Sequence, residues 1–206
     1  MISQKEHWEN VYQSRDHKKL GWYQESPDIS LELLLKIHAD SSRSIIDVGC
    51  GASVLVDRLI EQGYKDITLV DLSEKALSII RDRLGDKSNM PNYFSQDITK
   101  ATFTDTFEIW HDRAVFHFLT DESDRKNYMS VLSKSLSNNG RAIIGTFSLN
   151  GPNACSGLDI VRYDEERMKS ELSHDLELVD SVTSIHEMPN GAEQEYMYFI
   201  LKHKDT

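Results

Sequence analysis

The sequence predicts an α/β fold: a doubly wound, mostly parallel sheet inside a three-layer α/β/α sandwich. From Ser44 onward, short β-branched runs (SIIDV, DITLVD, FEIWHD, GRAIIGTF) alternate with segments of helical spacing, the signature of strands joined by crossover helices. Near the end, ELVDSVTSI and QEYMYFILK flank the turn signal Pro189-Asn190-Gly191, so the last strand pairs antiparallel with its predecessor. The chain has 206 residues, 39% hydrophobic and 28% charged, which is ordinary globular usage and fits one domain over 1–206. A fold of this size buries roughly 70% of the surface its unfolded chain exposes, so its core needs no disulfide or metal.

Each element has its own signal. Trp8, Val11 and Tyr12 mark a short first helix. Ser26, with Pro27 at the first helical position, starts a second helix bearing Leu31, Leu34 and His38. Residues 1–39 thus read as an N-terminal lid and helices ahead of an α/β core at 40–206. Ile45 to Val48 is a buried strand that runs into a glycine turn and opens a helix from Val54 to Gln62. Ser73 caps the helix whose Leu77, Ile80 and Leu84 share a face. Thr120 or Asp121 caps the next, which presents Tyr128, Val131, Leu132 and Leu136 and closes at Asn138-Asn139-Gly140.

Charge and cysteine usage exclude several classes of function. With 23 Lys+Arg against 34 Asp+Glu the net charge is −11, which argues against a grip on nucleic-acid phosphates or anionic lipid and favours a small or cationic partner. Cys50 and Cys155 lie far apart with no CxxC or Cys/His cluster, so neither a disulfide scaffold nor a metal site is expected. The start of the sequence has no apolar h-region and no window approaches 18 apolar residues, so a cytoplasmic protein without a membrane partner is expected, as monomer or homodimer.

The most specific element is Asp47-Val48-Gly49-Cys50-Gly51-Ala52-Ser53, a strand end and turn whose glycines let a ligand approach the backbone. A dinucleotide site wants G-x-G-x-x-G, but the third glycine position holds Val54, and the Asp47 carboxylate would repel a pyrophosphate. That carboxylate suits a ligand carrying an ammonium or sulfonium. An ordinary tight strand–helix turn is the bland alternative.

This strand and turn resemble motif I of the class I S-adenosylmethionine-dependent methyltransferases, whose usual pattern is D/E-x-G-x-G-x-G; Ser53 replaces the last glycine. The resemblance covers roughly residues 40–203 and implies a Rossmann-like sheet of seven strands with an antiparallel last strand. It also implies S-adenosylmethionine as cofactor and S-adenosylhomocysteine as product. Further landmarks follow in order. Asp71 ends the second strand 20 positions after Gly51, where a carboxylate accepts both ribose hydroxyls, with Leu72 beside it. Asp97 and Ile98 follow the third strand, where the family sets an acid near the adenine amino group and an apolar side chain against the ring. Helix capping by Asp71 and an Asx turn at Asp97 are the plain alternatives.

Trp22 and Tyr23 resemble an aromatic lid over the methionine end of such a cofactor, where a sulfonium against ring faces gains about 0.5–2 kcal/mol. Trp8 and Tyr12 read equally well as lid or core. After the fourth strand, His111, Asp112, Arg113 and His117 stand where open α/β sheets bind ligands. His111, Arg113 and His117 are the catalytic candidates, and Asp112 is grouped with the cofactor residues or with Arg113 as an ion pair. The strand end lacks the Asn/Asp-Pro-Pro-Tyr string of base-directed enzymes and the Asp-Lys-Gly string of one protein lysine branch. Its Trp-His-Asp-Arg-Ala is nearer the Trp-Asp-Arg-Gly-Ala of thiopurine S-methyltransferase-like enzymes. A small-molecule acceptor, a thiol or an acid, is therefore expected. The alternatives are a protein lysine acceptor, a non-catalytic binding module with this fold and, disfavoured by Val54, a nicotinamide oxidoreductase. Gly151 to Leu158 reads as a polar loop shaping the acceptor pocket.

Overall fold

A computed structural model describes residues 3–205. Helix α1 is Gln4–Ser14 and α2 is Asp28–Lys36; strand β1 is Ile45–Val48, followed by α3, Leu55–Glu61. Then come β2 (Ile67–Asp71), α4 (Glu74–Leu84), β3 (Asn92–Ser95), β4 (Phe107–Arg113), α5 (Glu122–Ser135) and β5 (Leu136–Phe147). A small ladder of β6 (Ala154–Cys155) and β7 (Leu158–Asp159) precedes α6 (Glu165–Glu171), β8 (Leu176–Glu187) and β9 (Glu193–His203). Seven strands form one sheet in the order β3-β2-β1-β4-β5-β9-β8. The first five run parallel, and β9 lies antiparallel between β5 and β8. The final antiparallel strand is therefore inserted inside the sheet, with its hairpin partner at the edge.

Alternation along the central strands explains the three layers. Ile45, Ile109 and Ile143 pack under α2 and α3 through Leu33, Leu55 and Leu59, while Ile46, Trp110 and Ile144 pack under α5 through Tyr128 and Leu132. Order reverses between β1 and β4, which opens the crevice that such sheets use for ligands. Register makes the strand ends level: Val48 lies opposite Val70 and Asp112, Asp71 opposite Ser95, and Arg113 opposite Gly145.

Several boundaries depart from the sequence reading. Pro27 sits at the cap of α2 rather than inside it, with ψ at 47°, and the Ser26 hydroxyl bonds the Asp28 side chain instead of capping the helix. His38 lies beyond the helix end in the left-handed region, φ 54°. Helix α5 starts after Asp121, which makes no side-chain cap, and ends at Ser135 because Leu136 already pairs with Phe107 of β4. Asn138 to Gly140 thus belong to the start of β5. The small ladder at 154–159 and helix α6 carry no periodic run long enough to be read from sequence.

Candidate functional site

The turn after β1 takes its shape from two left-handed glycines, Gly49 at φ 61° and Gly51 at φ 54°. A Cβ on Gly49 would collide with the Val115 side chain and one on Gly51 with the Tyr12 hydroxyl, so both positions are closed to side chains. Asp71 braces the turn: Oδ2 accepts from Gly51 N–H and Oδ1 from Ser73 N–H, both at 2.8 Å. Burial outweighs these bonds and pushes its carboxyl up to about 6. Arg83 of α4 grips the far side, donating to the carbonyls of Ala52 (2.8 Å) and Ser53 (2.5 Å) while pairing with Asp57. The motif reading did not find Arg83. Its only sequence signal is its place on a helix that packs across the turn.

The turn forms the floor of a cavity that collects most of the predicted residues. Trp22, Tyr23, Asp47, Gly49, Cys50, Gly51, Ser53, Asp71 and Leu72 line it, as do Asp97, Ile98, His111 and Arg113. The Ser53 hydroxyl also accepts from Leu55 N–H where the turn enters α3, and the Cys50 thiol is buried and held well above its usual pKa by burial. Asp97 accepts from the Thr99 amide and hydroxyl and pairs with Lys100 at 2.8 Å, so the Asx turn and a place on the cavity wall coexist.

The roof is aromatic. Glu9 of α1 accepts from the Ser73 hydroxyl (2.7 Å) and Lys75 N–H (3.2 Å), anchoring α1 on the start of α4. Trp22 then donates through Nε1 to the Tyr12 hydroxyl, and Trp8 meets the rings of Trp22 and Phe118 edge-on. The loop bearing Trp22 is held to the sheet by Arg113 Nη1, which donates to the Trp22 carbonyl (2.9 Å), and by His186 Nε2, which donates to that of Gly21 (2.7 Å). Trp8 and Tyr12 line the cavity as well as packing in the apolar cluster.

The acceptor-side candidates separate. His111 is buried between two partners: Nδ1 lies 2.7 Å from Asp47 Oδ1 and Nε2 lies 2.9 Å from the Ser30 hydroxyl. A carboxylate only accepts, so Nδ1 carries the proton and Nε2 of a neutral ring accepts from Ser30. Ser30 lines the cavity and was not anticipated, because it lies 81 positions from His111 on another element. Asp112 is corrected: it does not line the cavity. Its carboxylate is fully buried and takes the Val115 and Phe116 amides and the Tyr128 hydroxyl, holding the bend after β4. Burial raises its carboxyl to about 7, and no ion pair with Arg113 forms. His117 is corrected too. It is fully buried outside the cavity lining, stacks on Phe147 and accepts that residue's N–H through Nδ1. Burial and the neighbouring Arg113 cation push it down to about 3, leaving it a poor base at neutral pH.

Part of the chain is similar to known proteins. Residues 45–140 match the family described as "Methyltransferase domain". A mouse protein named "eEF1A lysine and N-terminal methyltransferase" is 29% identical over 123 residues, covering 58% of this chain and 17% of that protein. The bovine protein of that name is 28% identical over 142 residues, 67% of this chain and 20% of its length. The chain thus spans about a fifth of the length of these curated relatives. Among solved structures, one described as "Conversion of a Disulfide Bond into a Thioacetal Group during Echinomycin Biosynthesis" superposes with a TM-score of 0.78 at 15% identity, covering 98% of this chain and 92% of that one. An N-methyltransferase from Bradyrhizobium japonicum in complex with S-adenosylhomocysteine gives 0.72 at 14% identity, covering 97% and 100%.

Proposed function

We propose, from the premise that the chain carries a class I S-adenosylmethionine-dependent methyltransferase domain, that it transfers a methyl group from S-adenosylmethionine to an acceptor seated beyond Arg113 and releases S-adenosylhomocysteine. The observation that carries the reading is the pair of left-handed glycines closed to any Cβ, with Asp71 buried beside them in one cavity. The residues present fit the donor. Asp71 keeps lone pairs free for two ribose hydroxyls, Ile98 offers an apolar wall to adenine, and Asp47 gives Oδ1 to His111 and leaves Oδ2 to face an ammonium.

The donor supplies an activated methyl on a sulfonium, so the protein needs to align the acceptor, exclude water and receive at most one proton. Trp8, Trp22 and Phe118 exclude water from above. An acceptor that must lose a proton passes it to the Ser30 hydroxyl as that hydroxyl gives its own to His111 Nε2. Asp47 then stabilises the imidazolium through Nδ1. Arg113 and Cys155 bound the acceptor end, and burial holds the Cys155 thiol up at about 11, so it remains a neutral wall.

The acceptor we favour is a small molecule, because the roof closes over the cavity through Trp22. A protein lysine or N-terminus is the second reading, favoured by the printed names of the relatives. Two free cysteines fit a reducing, cytosolic setting. Incubation with S-adenosylmethionine and separate pools of thiols, carboxylic acids, amines and lysate protein, reading S-adenosylhomocysteine, tests the assignment. Turnover on small molecules supports it, turnover on protein alone moves it to the second reading, and no turnover with tight product binding leaves a binding module.

A further inference from the structure

Strand β8 changes face part-way along. Leu176 and Leu178 pack with the layer of α5, whereas Val182 packs with the layer of α2. In a regular strand residues 178 and 182 share a face. One extra residue, Val179, lies between the pairs Leu178–Leu201 and Asp180–Ile200 and turns the rest of the strand over. Asp180 accordingly meets Lys36 of α2 and Ser181 meets Glu165 of α6. His186 falls on the α2 side, where its Nε2 donates to the Gly21 carbonyl at 2.7 Å. Without the bulge it would point to the other face.

The same hairpin reaches both borders of the roof. Two residues after His186, Met188 packs on the Trp22 loop so closely that its Cε would stand 2.7 Å from a Cβ on Gly21. Across the turn His186 pairs with Gln194, one step from Glu195 of β9, which holds the chain that leaves β5. Glu195 Oε1 accepts from the Ser148 hydroxyl (2.5 Å) and from Asn150 Nδ2 (2.9 Å), and its carbonyl accepts from Ser148 N–H (3.1 Å). Arg162 closes the same loop through the carbonyls of Leu149 and Gly151. Beyond it Cys155 lines the cavity, as Trp22 does on the other border.

We propose that His186 and Glu195 are positioning residues for methyl transfer: one hairpin holds the Trp22 loop and the 148–155 loop at a fixed spacing. His186 then governs how long the donor stays enclosed, and Glu195 shapes the acceptor end. Neither lines the cavity, so each acts through the loop it holds. The inference rests on the methyltransferase reading and deepens it by assigning the alignment of the roof to residues outside the site.

Backbone hydrogen–deuterium exchange of the ligand-free protein and stopped-flow release of S-adenosylhomocysteine test the assignment in wild type, His186→Leu, His186→Gln and Glu195→Ala. In 16–26 the amides of Leu20 and Tyr23 are bonded within the loop and report its order. His186→Leu is expected to speed exchange there by about fivefold, the scale of one hydrogen bond, and to speed release of S-adenosylhomocysteine by a similar factor. Strands β1 and β2 keep their wild-type protection. His186→Gln, which keeps a donor at that place, restores both readouts. Glu195→Ala speeds exchange at 148–158 and leaves release unchanged. Exchange at 16–26 unchanged in His186→Leu, faster exchange spread equally over the sheet, or release equally fast in His186→Leu and wild type overturns the proposal alone, with S-adenosylhomocysteine still binding. Should His186→Leu fail to fold, Met188→Ala, which removes the packing on Gly21 from a partly exposed position, takes its place with the same expected result. No binding of S-adenosylhomocysteine to wild type overturns the donor reading and this one with it.

Discussion

The two sides of the cavity are built from different material. On the side we assign to the donor, at the ends of β1 to β3, much of the geometry comes from backbone conformation and short-range bonds, namely left-handed glycines, Asp71 on the Ser73 amide and Asp97 on the Thr99 amide, with Arg83 of α4 as a long-range brace. On the acceptor side each polar group is held from another part of the chain, His111 by Ser30, Arg113 by the Trp22 carbonyl, and the Trp22 loop by His186. A site that must recognise one invariant ligand can be written in a local motif. A site that varies with its acceptor is written in tertiary contacts, and changes when any one of them changes.

The sharpest way to break the donor side is Gly49→Val. A β-branched residue at φ 61° is strained by ~1–2 kcal/mol before its side chain meets Val115. The expected result is complete loss of the S-adenosylhomocysteine-induced rise in melting temperature, with a lowered baseline melt. A variant that still binds would show that the turn is not the ligand floor.

On the acceptor side, His111→Gln tests the proton path. If Ser30 and His111 accept the acceptor's proton, turnover falls on the order of 10²–10⁴-fold while product affinity changes far less. A defect in binding alone, with kcat intact, would make His111 only a prop for Asp47.

Asp112 separates the fold from the chemistry. Burial raises its folded-state carboxyl to about 7, against about 3.9 in an unfolded chain, so the folded state holds the proton between those values. Its contribution is therefore greatest below pH 4 and is lost as pH rises through 7, a fall of up to roughly 4 kcal/mol at about 1.4 kcal/mol per unit. In Asp112→Asn, urea melts from pH 4 to 7.5 should show a flatter stability profile. An unchanged slope would mean that Asp112 is ionised throughout, stabilised by its three donors. The smallest expected effect is at Lys100, whose pairing with Asp97 is exposed to solvent and screened by it. Lys100→Ala should leave product affinity within a few-fold of wild type, and a larger loss by titration would give the Lys100–Asp97 pair a part in the site.

What could be read from the sequence follows the same division. Periodicity at Ile45–Val48 and Ile67–Asp71, and the cap at Ser73, act within a few residues, so the central sheet and the glycine turn were legible. The position of β9 between β5 and β8 was not, because pairing partners of an antiparallel strand depend on contacts far apart in the chain. His117 looked like a base by its place after β4, yet its side chain turns into the core against Phe147. Asp112 looked like a ligand group and is a brace for the bend. Ser30 and Arg83 carry no motif at all; only the packing of α2 and α4 brings them to the turn.

The central claim is that the ends of β1 and β2 hold the donor through Asp71. Titration of S-adenosylhomocysteine at pH 5.5 and 7.5, in wild type and Asp71→Asn, tests it most directly. Ribose hydroxyls donate to the ionised carboxylate, and the free group titrates near 6, so wild-type affinity should rise about fourfold between the two pH values. Asp71→Asn should bind more weakly by roughly 1.5–3 kcal/mol at pH 7.5, with the pH dependence gone. Equal affinity in the two proteins at both pH values, or no binding to wild type, would contradict the account.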